Sequence, residues 1–316
     1  MDPQVRSFLA AVNSTVQPPI TEIPIKELRE QFNSLTPIFH PHIDVASVRE
    51  MKTTSGVPLR IYHPGDPGDA ALPGIVYFHG GGWVMGNIET HDTLCRHLAN
   101  AAGAIVVSVD YRLAPEHRFP AAFEDAFEAT RFVVEHADEL NVNPNQIGLA
   151  GDSAGGNLAL AVALKAREEG APVIACQCLL YPVLDSGCGT PSYESFATDH
   201  GLTREKMEFF WSCYLGGNGQ THPLASPTFA EDLSHLPPTI VITAEFDVLR
   251  DEGEQLVERL REAGVQVESR CCEGVIHGFI HFAGAIERGQ SELARVGKEF
   301  GNRLRTTLDA GDRGHE

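Results

Sequence analysis

An α/β chain built on a mostly parallel sheet is the fold class this sequence predicts, and three observations predict it. Apolar runs of strand length alternate with longer segments of helical periodicity. The alternation recurs at the spacing of strand-helix-strand units, which pair their strands in parallel. Each stretch of unusual composition also begins where an apolar run ends, and open α/β sheets bind ligands at those carboxyl ends. Eight strands flanked by helices are expected.

The elements follow in order. Residues 1 to about 43 stand apart, with short helices predicted over Phe8 to Val12 and Ile25 to Leu35. Two such helices cannot bury their apolar faces alone, so they should lie on the main domain. VASVREMKT and VPLRIYHP read as strands about the Ser55-Gly56 turn. Ile75 to Phe78 is a strand running into His79-Gly80-Gly81-Gly82-Trp83. A helix over 90–102 and a strand from Ala104 to Val109 lead into DYRLAPE at 110–116. A helix over 119–138 follows, with Pro120 tolerated in its first turn. Ile147 to Ala150 is a buried strand, and a run of good helix formers from Leu158 to Lys165 comes after it. Val173 to Leu180 is a strand. Residues 185–222 lose strand character and carry Phe209-Phe210-Trp211. Thr239 to Thr243, Arg250 to Ala263 and Val265 to Cys271 read as strand, helix, strand. A last helix covers about 282–307, and the tail at 309–316 is expected to be disordered.

Composition narrows the function. The 316 residues carry 24 basic and 43 acidic side chains, a net charge of −19. With no basic block, nucleic acid and anionic membranes are poor partners. No run of 18 apolar residues exists, so no membrane span is expected. Seven scattered cysteines and no leader pattern predict a reduced, cytoplasmic protein. Cys176 and Cys178 share a strand face, but no second pair completes a zinc site, so core packing is expected and no metal.

The chemistry centres on Gly151-Asp152-Ser153-Ala154-Gly155, a sharp strand-to-helix turn that lifts one hydroxyl above the sheet edge. The following helix points its N-terminus at Ser153 and favours negative charge there. A serine needs a base to take its proton, and the base needs a carboxylate to orient it. Asp247, just past a strand, is the candidate acid. Asp251 and Glu245 are rivals, the former better read as a helix N-terminal charge. His277 follows the last strand and is the candidate base. His281 is expected in or near the last helix, and His235 in a polar loop. His40, His42, His63 and His97 read as surface or packing residues. Attack on an acyl carbon puts charge on oxygen, and the glycines after His79 let backbone N–H groups approach it, with Ala154 as a further donor. No Lys-Ser/Thr follows the glycines, which excludes a phosphate-binding P-loop.

HGGGW at 79–83, DYRLAPEHRFPAAFEDA at 110–126, GDSAGGN at 151–157, DVLRDEGE at 247–254 and HGF at 277–279 together resemble the hormone-sensitive-lipase family of α/β-hydrolases. The likeness covers roughly residues 45–305. It implies a serine carboxylesterase acting on small-molecule esters of short to medium acyl length, with no cofactor and in some members a homodimer. By position it implies Ser153 as nucleophile, Asp247 as orienting acid and His277 as base. Gly81, Gly82 and Ala154 would form the oxyanion hole. Residues 1–43 and about 186–222 would cap a catalytic domain spanning 44–308, and Trp83, Phe209, Phe210 and Trp211 would line or roof the pocket. Val248 departs from the family's proline after the acid, which predicts slightly looser ordering with activity retained. Asp110, Tyr111, Arg112, Glu116 and Asp125 are expected in a buried ionic network beneath the site. Amide, carbamate or lactone hydrolysis would use the same residues. A non-catalytic binder of the kind seen in the resembling plant hormone receptors would lack the histidine base, which His277 argues against.

Overall fold

The computed structural model describes residues 1–14, 18–39, 41–65 and 70–306, so His40 and the tail at 309–316 lie outside it. The chain begins with α1 (Pro3–Val12), α2 (Ile25–Ser34), β1 (Ser47–Lys52), β2 (Pro58–His63) and β3 (Leu72–Phe78). It continues through α3 (Ile88–Ala102), β4 (Ile105–Val109), α4 (Ala121–Glu135), α5 (Ala137–Leu140), β5 (Val142–Asp152) and α6 (Ala154–Glu169). Then come β6 (Cys176–Leu180), α7 (Pro191–Ser195), α8 (Arg204–Leu215), β7 (Thr239–Phe246), α9 (Arg250–Glu262), β8 (Val267–Ile276) and α10 (Glu287–Thr306).

The strands form one sheet in the order β1-β2-β4-β3-β5-β6-β7-β8. β1 with β2 and β2 with β4 are antiparallel, and every pairing from β4 to β8 is parallel. The chain steps from β3 outward to β4, then returns to place β5 on the other flank of β3. That reversal opens a crevice at the carboxyl ends of β3 and β5. The glycine loop follows β3 and Ser153 follows β5.

Alternation along the central strands divides the core between two faces. Val76 and Phe78 join Leu158, Val162 and Leu256 on one side. Ile75 and Tyr77 join Leu94, Val296 and Phe300 on the other. α6 is buried on almost every face, which its Ala and Gly content permits. A Cβ on Gly155 would stand 1.9 Å from the carbonyl oxygen of Phe78, so only glycine allows α6 this close to β3. Cys176 and Cys178 are buried in β6 as packing residues.

Several elements run longer than their apolar runs suggest. α1 starts at Pro3 because the Asp2 side chain accepts the Gln4 N–H at 2.7 Å and proline suits the first helical position. β8 continues to Ile276 beside β7. The last helix begins at Glu287, since a turn containing Gly278, at φ 76°, occupies the preceding stretch. His281 therefore precedes the helix.

The N-terminal segment lies across the carboxyl edge of the sheet. The Asp2 N–H donates to the Gly274 carbonyl at 2.8 Å. Arg29 of α2 donates to the carbonyls of Val84 and Ala114 at 2.8 and 3.0 Å and pairs with Glu116 at 2.7 Å. None of the described helices is long and apolar enough to cross a membrane.

Candidate active site

Ser153 begins α6 at φ 54° and ψ −117°, backbone that a non-glycine residue adopts only under constraint. Serine at a helix N-cap ordinarily turns its hydroxyl onto the helix N–H groups. Here it makes no such cap, and its Oγ lies 2.9 Å from His277 Nε2. The turn is closed by flanking glycines: a Cβ on Gly151 would meet the Gly155 carbonyl at 2.3 Å.

His277 follows β8 directly, and its Nδ1 donates to Asp247 Oδ2 at 2.7 Å. Asp247 follows β7 and is fully buried, and its other oxygen accepts the Leu249 N–H at 3.0 Å. Tyr181, at the end of β6, sets its ring edge-on to His277 with centroids 4.9 Å apart. Three strand ends far apart in sequence thus deliver a hydroxyl, an imidazole and a carboxylate in one hydrogen-bonded line. Val248 is buried, and its carbonyl accepts the Ser192 hydroxyl at 2.6 Å. The segment after Asp247 is therefore tied to α7 from its backbone.

The loop after β3 faces Ser153. Gly81 has φ 111° and Gly82 φ 61°, left-handed values that suit glycine. The Gly81 carbonyl accepts the N–H groups of both Val84 and Met85, at 3.2 and 2.9 Å, which fixes the turn. Asp152, next to the nucleophile, anchors this loop. Its Oδ1 accepts the Gly80 N–H at 2.8 Å and the Tyr77 hydroxyl at 2.7 Å, with His91 Nε2 at 3.4 Å. Burial alone would push this carboxyl up, but His91 and the Tyr77 hydroxyl overcome it and hold the group well below the usual carboxylate range. Burial, reinforced by His91, pulls His79 down to about 3, so its ring is neutral at ordinary pH.

The remaining predicted residues fall in several places. Trp83 and Trp211 are buried against each other, centroids 4.6 Å apart, and Trp83 stacks on Tyr214 at 4.2 Å. Phe210 meets the glycine loop: a Cβ on Gly82 would stand 2.4 Å from its ring. Phe209 is partly exposed beside Phe210. Asp251 pairs with Arg250 and accepts the Ser192 N–H, Glu245 accepts the Gly274 N–H, and His235 is exposed. His281 is buried, stacked on His91 with centroids 4.2 Å apart and tilted against Phe39 of the N-terminal segment at 3.8 Å.

The expected buried ionic network is corrected. Arg112 does pair with buried Asp125 at 2.8 Å, but its side chain is 45% exposed. Glu116 is 53% exposed and pairs with Arg29 of α2 rather than with its own segment. Of the five residues, Tyr111 and Asp125 alone are buried, and Tyr111 donates its hydroxyl to the His79 carbonyl at 2.6 Å. Composition announced the charges, but charged side chains at a segment's rim can reach water, and sequence does not fix that reach.

Sequence reasoning did not assign Asp152, Tyr77, His91 or Tyr181. Asp152 carried one usable signal, a charge inside an otherwise apolar strand end, where a carboxylate needs partners. Among the described residues, no group of three or more His, Cys, Asp or Glu is placed to hold a metal.

Comparison with known proteins identifies the fold family. A family model described as the alpha/beta hydrolase fold matches residues 75–281. Esterase LipI of Mycobacterium tuberculosis is 42% identical over 250 residues, 78% of each chain. An arylesterase of Saccharolobus solfataricus is 36% identical over 285 residues, 89% of this chain and 92% of that one. Among solved structures, an ester hydrolase from the Lake Arreo metagenome, complexed with a bipyridine phosphonate derivative, superposes with a TM-score of 0.91. It is 34% identical, and the match covers 97% of this chain and 100% of that one. A hyperthermophilic esterase from Pyrobaculum calidifontis gives 0.89 at 40% identity, over 96% and 98%. The chain accordingly belongs to the α/β-hydrolase fold family, in its hormone-sensitive-lipase-like branch of carboxylic ester hydrolases.

Proposed function

We propose that the chain hydrolyses small-molecule esters of short to medium acyl length through an acyl-enzyme on Ser153. The observation that carries this is the unbroken line from Ser153 Oγ to His277 to Asp247, at 2.9 and 2.7 Å. In this reading His277 Nε2 takes the hydroxyl proton as Oγ attacks the ester carbonyl. Charge moves to the carbonyl oxygen, and the N–H groups of Gly81, Gly82 and Ala154 receive it. As the C–O bond breaks, His277 returns the proton to the departing alcohol. Water, deprotonated by the same imidazole, then releases the acid and restores Ser153. Asp247 holds the ring in the required tautomer and stabilises the imidazolium.

Residues 1–43 and about 186–222 act as a cap over a catalytic domain spanning 44–308. Contact of α1 with β8 and the Phe210 ring on Gly82 support this division.

The test is hydrolysis of p-nitrophenyl butyrate by the Ser153→Ala variant, with folding checked by circular dichroism. A loss of about 10⁴-fold or more in kcat is expected. A folded variant retaining activity within tenfold of the parent overturns the reading.

A further inference from the structure

The segment over the crevice carries a cation without a carboxylate partner. Lys206 lies in the first turn of α8, half-buried, and its Nζ donates to the Gly201 carbonyl at 2.7 Å. Among the described residues, no carboxylate oxygen lies within 4.0 Å of that nitrogen. Lys26 and Lys165 are each paired with glutamate, and Lys52 and Lys298 are exposed to solvent, so Lys206 is the lysine that is both half-buried and without a carboxylate among the described residues. Burial pulls Lys206 below the ordinary lysine value, and the neighbouring Glu205 opposes this. An ammonium drawn out of water with one hydrogen bond carries an unmet charge, which an arriving anion would meet.

Gly201, whose carbonyl receives this ammonium, lies beside the end of β8. A Cβ on Gly201 would stand 3.5 Å from Ile276, the residue before His277, and 3.7 Å from Leu9 of α1. Phe210, four residues after Lys206 and on the same helical face, packs on Gly82 of the glycine loop. One face of α8 therefore carries Phe210 against the glycine loop and, one turn earlier, Lys206 toward the end of β8, the strand that His277 follows. In the ester reading, on which this inference rests, the carbonyl oxygen turns toward the glycine loop. The alcohol leaves on the His277 side, because His277 must protonate it.

We infer that Lys206 binds a carboxylate on the alcohol portion of the ester. The lysine thereby sets substrate class: esters whose alcohol bears an acid group bind with it, and neutral ones bind without it.

Three esters test this with the full chain. 4-Acetoxybenzoate carries the carboxylate on the leaving phenol, methyl 4-acetoxybenzoate is its neutral counterpart, and p-nitrophenyl hemisuccinate carries the carboxylate on the acyl side. In Lys206→Met, the kcat/KM ratio of the first ester to the second should fall about tenfold, chiefly through KM. Lys206→Arg should keep most of the ratio, and thermal melts check that both variants fold. A ratio unchanged within twofold, a parallel loss for both phenyl esters, or a loss confined to the hemisuccinate overturns the inference. If neutral ester turnover proves independent of Ser153, the ester reading itself fails and the inference falls with it.

Discussion

Ser153 occupies a helix N-cap and leaves the helix uncapped so that its hydroxyl can face His277. Such a position keeps its backbone at positive φ because Gly151 and Gly155 admit the turn and Asp152 ties it to the glycine loop after β3. Asp152 touches no reacting atom in the proposed mechanism, yet its one oxygen holds the glycine loop and the Tyr77 hydroxyl together. In Asp152→Asn, kcat for p-nitrophenyl butyrate should fall about 10- to 100-fold with KM nearly unchanged, because the oxyanion donors shift and the ground state does not feel them. A matching rise in KM would assign Asp152 to substrate binding instead. The residues in the Ser153 line were legible because each stands where an apolar run stops. Asp152 sat within the same motif and was passed over, since its partners Tyr77 and His91 come from β3 and α3 and adjacency in sequence does not reveal them.

Strands and helices were legible from periodicity, while their ends depended on local chemistry. Asp2 and Pro3 start α1 well before its apolar run. β8 outlasts its apolar run because β7 offers it a partner. The aromatic run at 209–211 splits by direction on α8, with Phe210 on the glycine loop and Trp211 against Trp83. Helical spacing alone does not tell which neighbour each ring meets. Arg29 is the clearest element-scale device, clasping α2 to the carbonyls of Val84 and Ala114 and to Glu116. Arg29→Ala should lower stability by about 1–2 kcal/mol, a melting shift of roughly 2–3 °C for a chain of this length. It should also raise KM, because α2 then loosens over the loop that follows Trp83. An unchanged melting temperature and KM would make the clasp incidental.

Across the whole molecule, acid should unfold the chain through groups placed around the glycine loop. His79 titrates near 6.5 when unfolded and near 3 when folded, so the unfolded chain binds more protons between those values. Its contribution is present above about pH 6.5 and is lost as pH falls toward 3. At about 1.4 kcal/mol per unit, the loss is roughly 2 kcal/mol by pH 5. Asp152 works in the same direction but lower: its folded value lies below its unfolded one, so its contribution holds above the ordinary carboxylate value and fades in stronger acid. Urea unfolding at pH 7 and pH 5 should show this drop, and His79→Gln should flatten it. Equal slopes in both proteins would place the acid sensitivity elsewhere.

The central claim is a single activated hydroxyl at Ser153, and active-site labelling tests it most directly. After treatment with diethyl p-nitrophenyl phosphate, intact-mass measurement with peptide mapping should find one diethylphosphoryl group, on Ser153. It should appear in step with the loss of ester hydrolysis and be missing from Ser153→Ala. Full inactivation with Ser153 unmodified, or equal labelling of the alanine variant, would contradict the account.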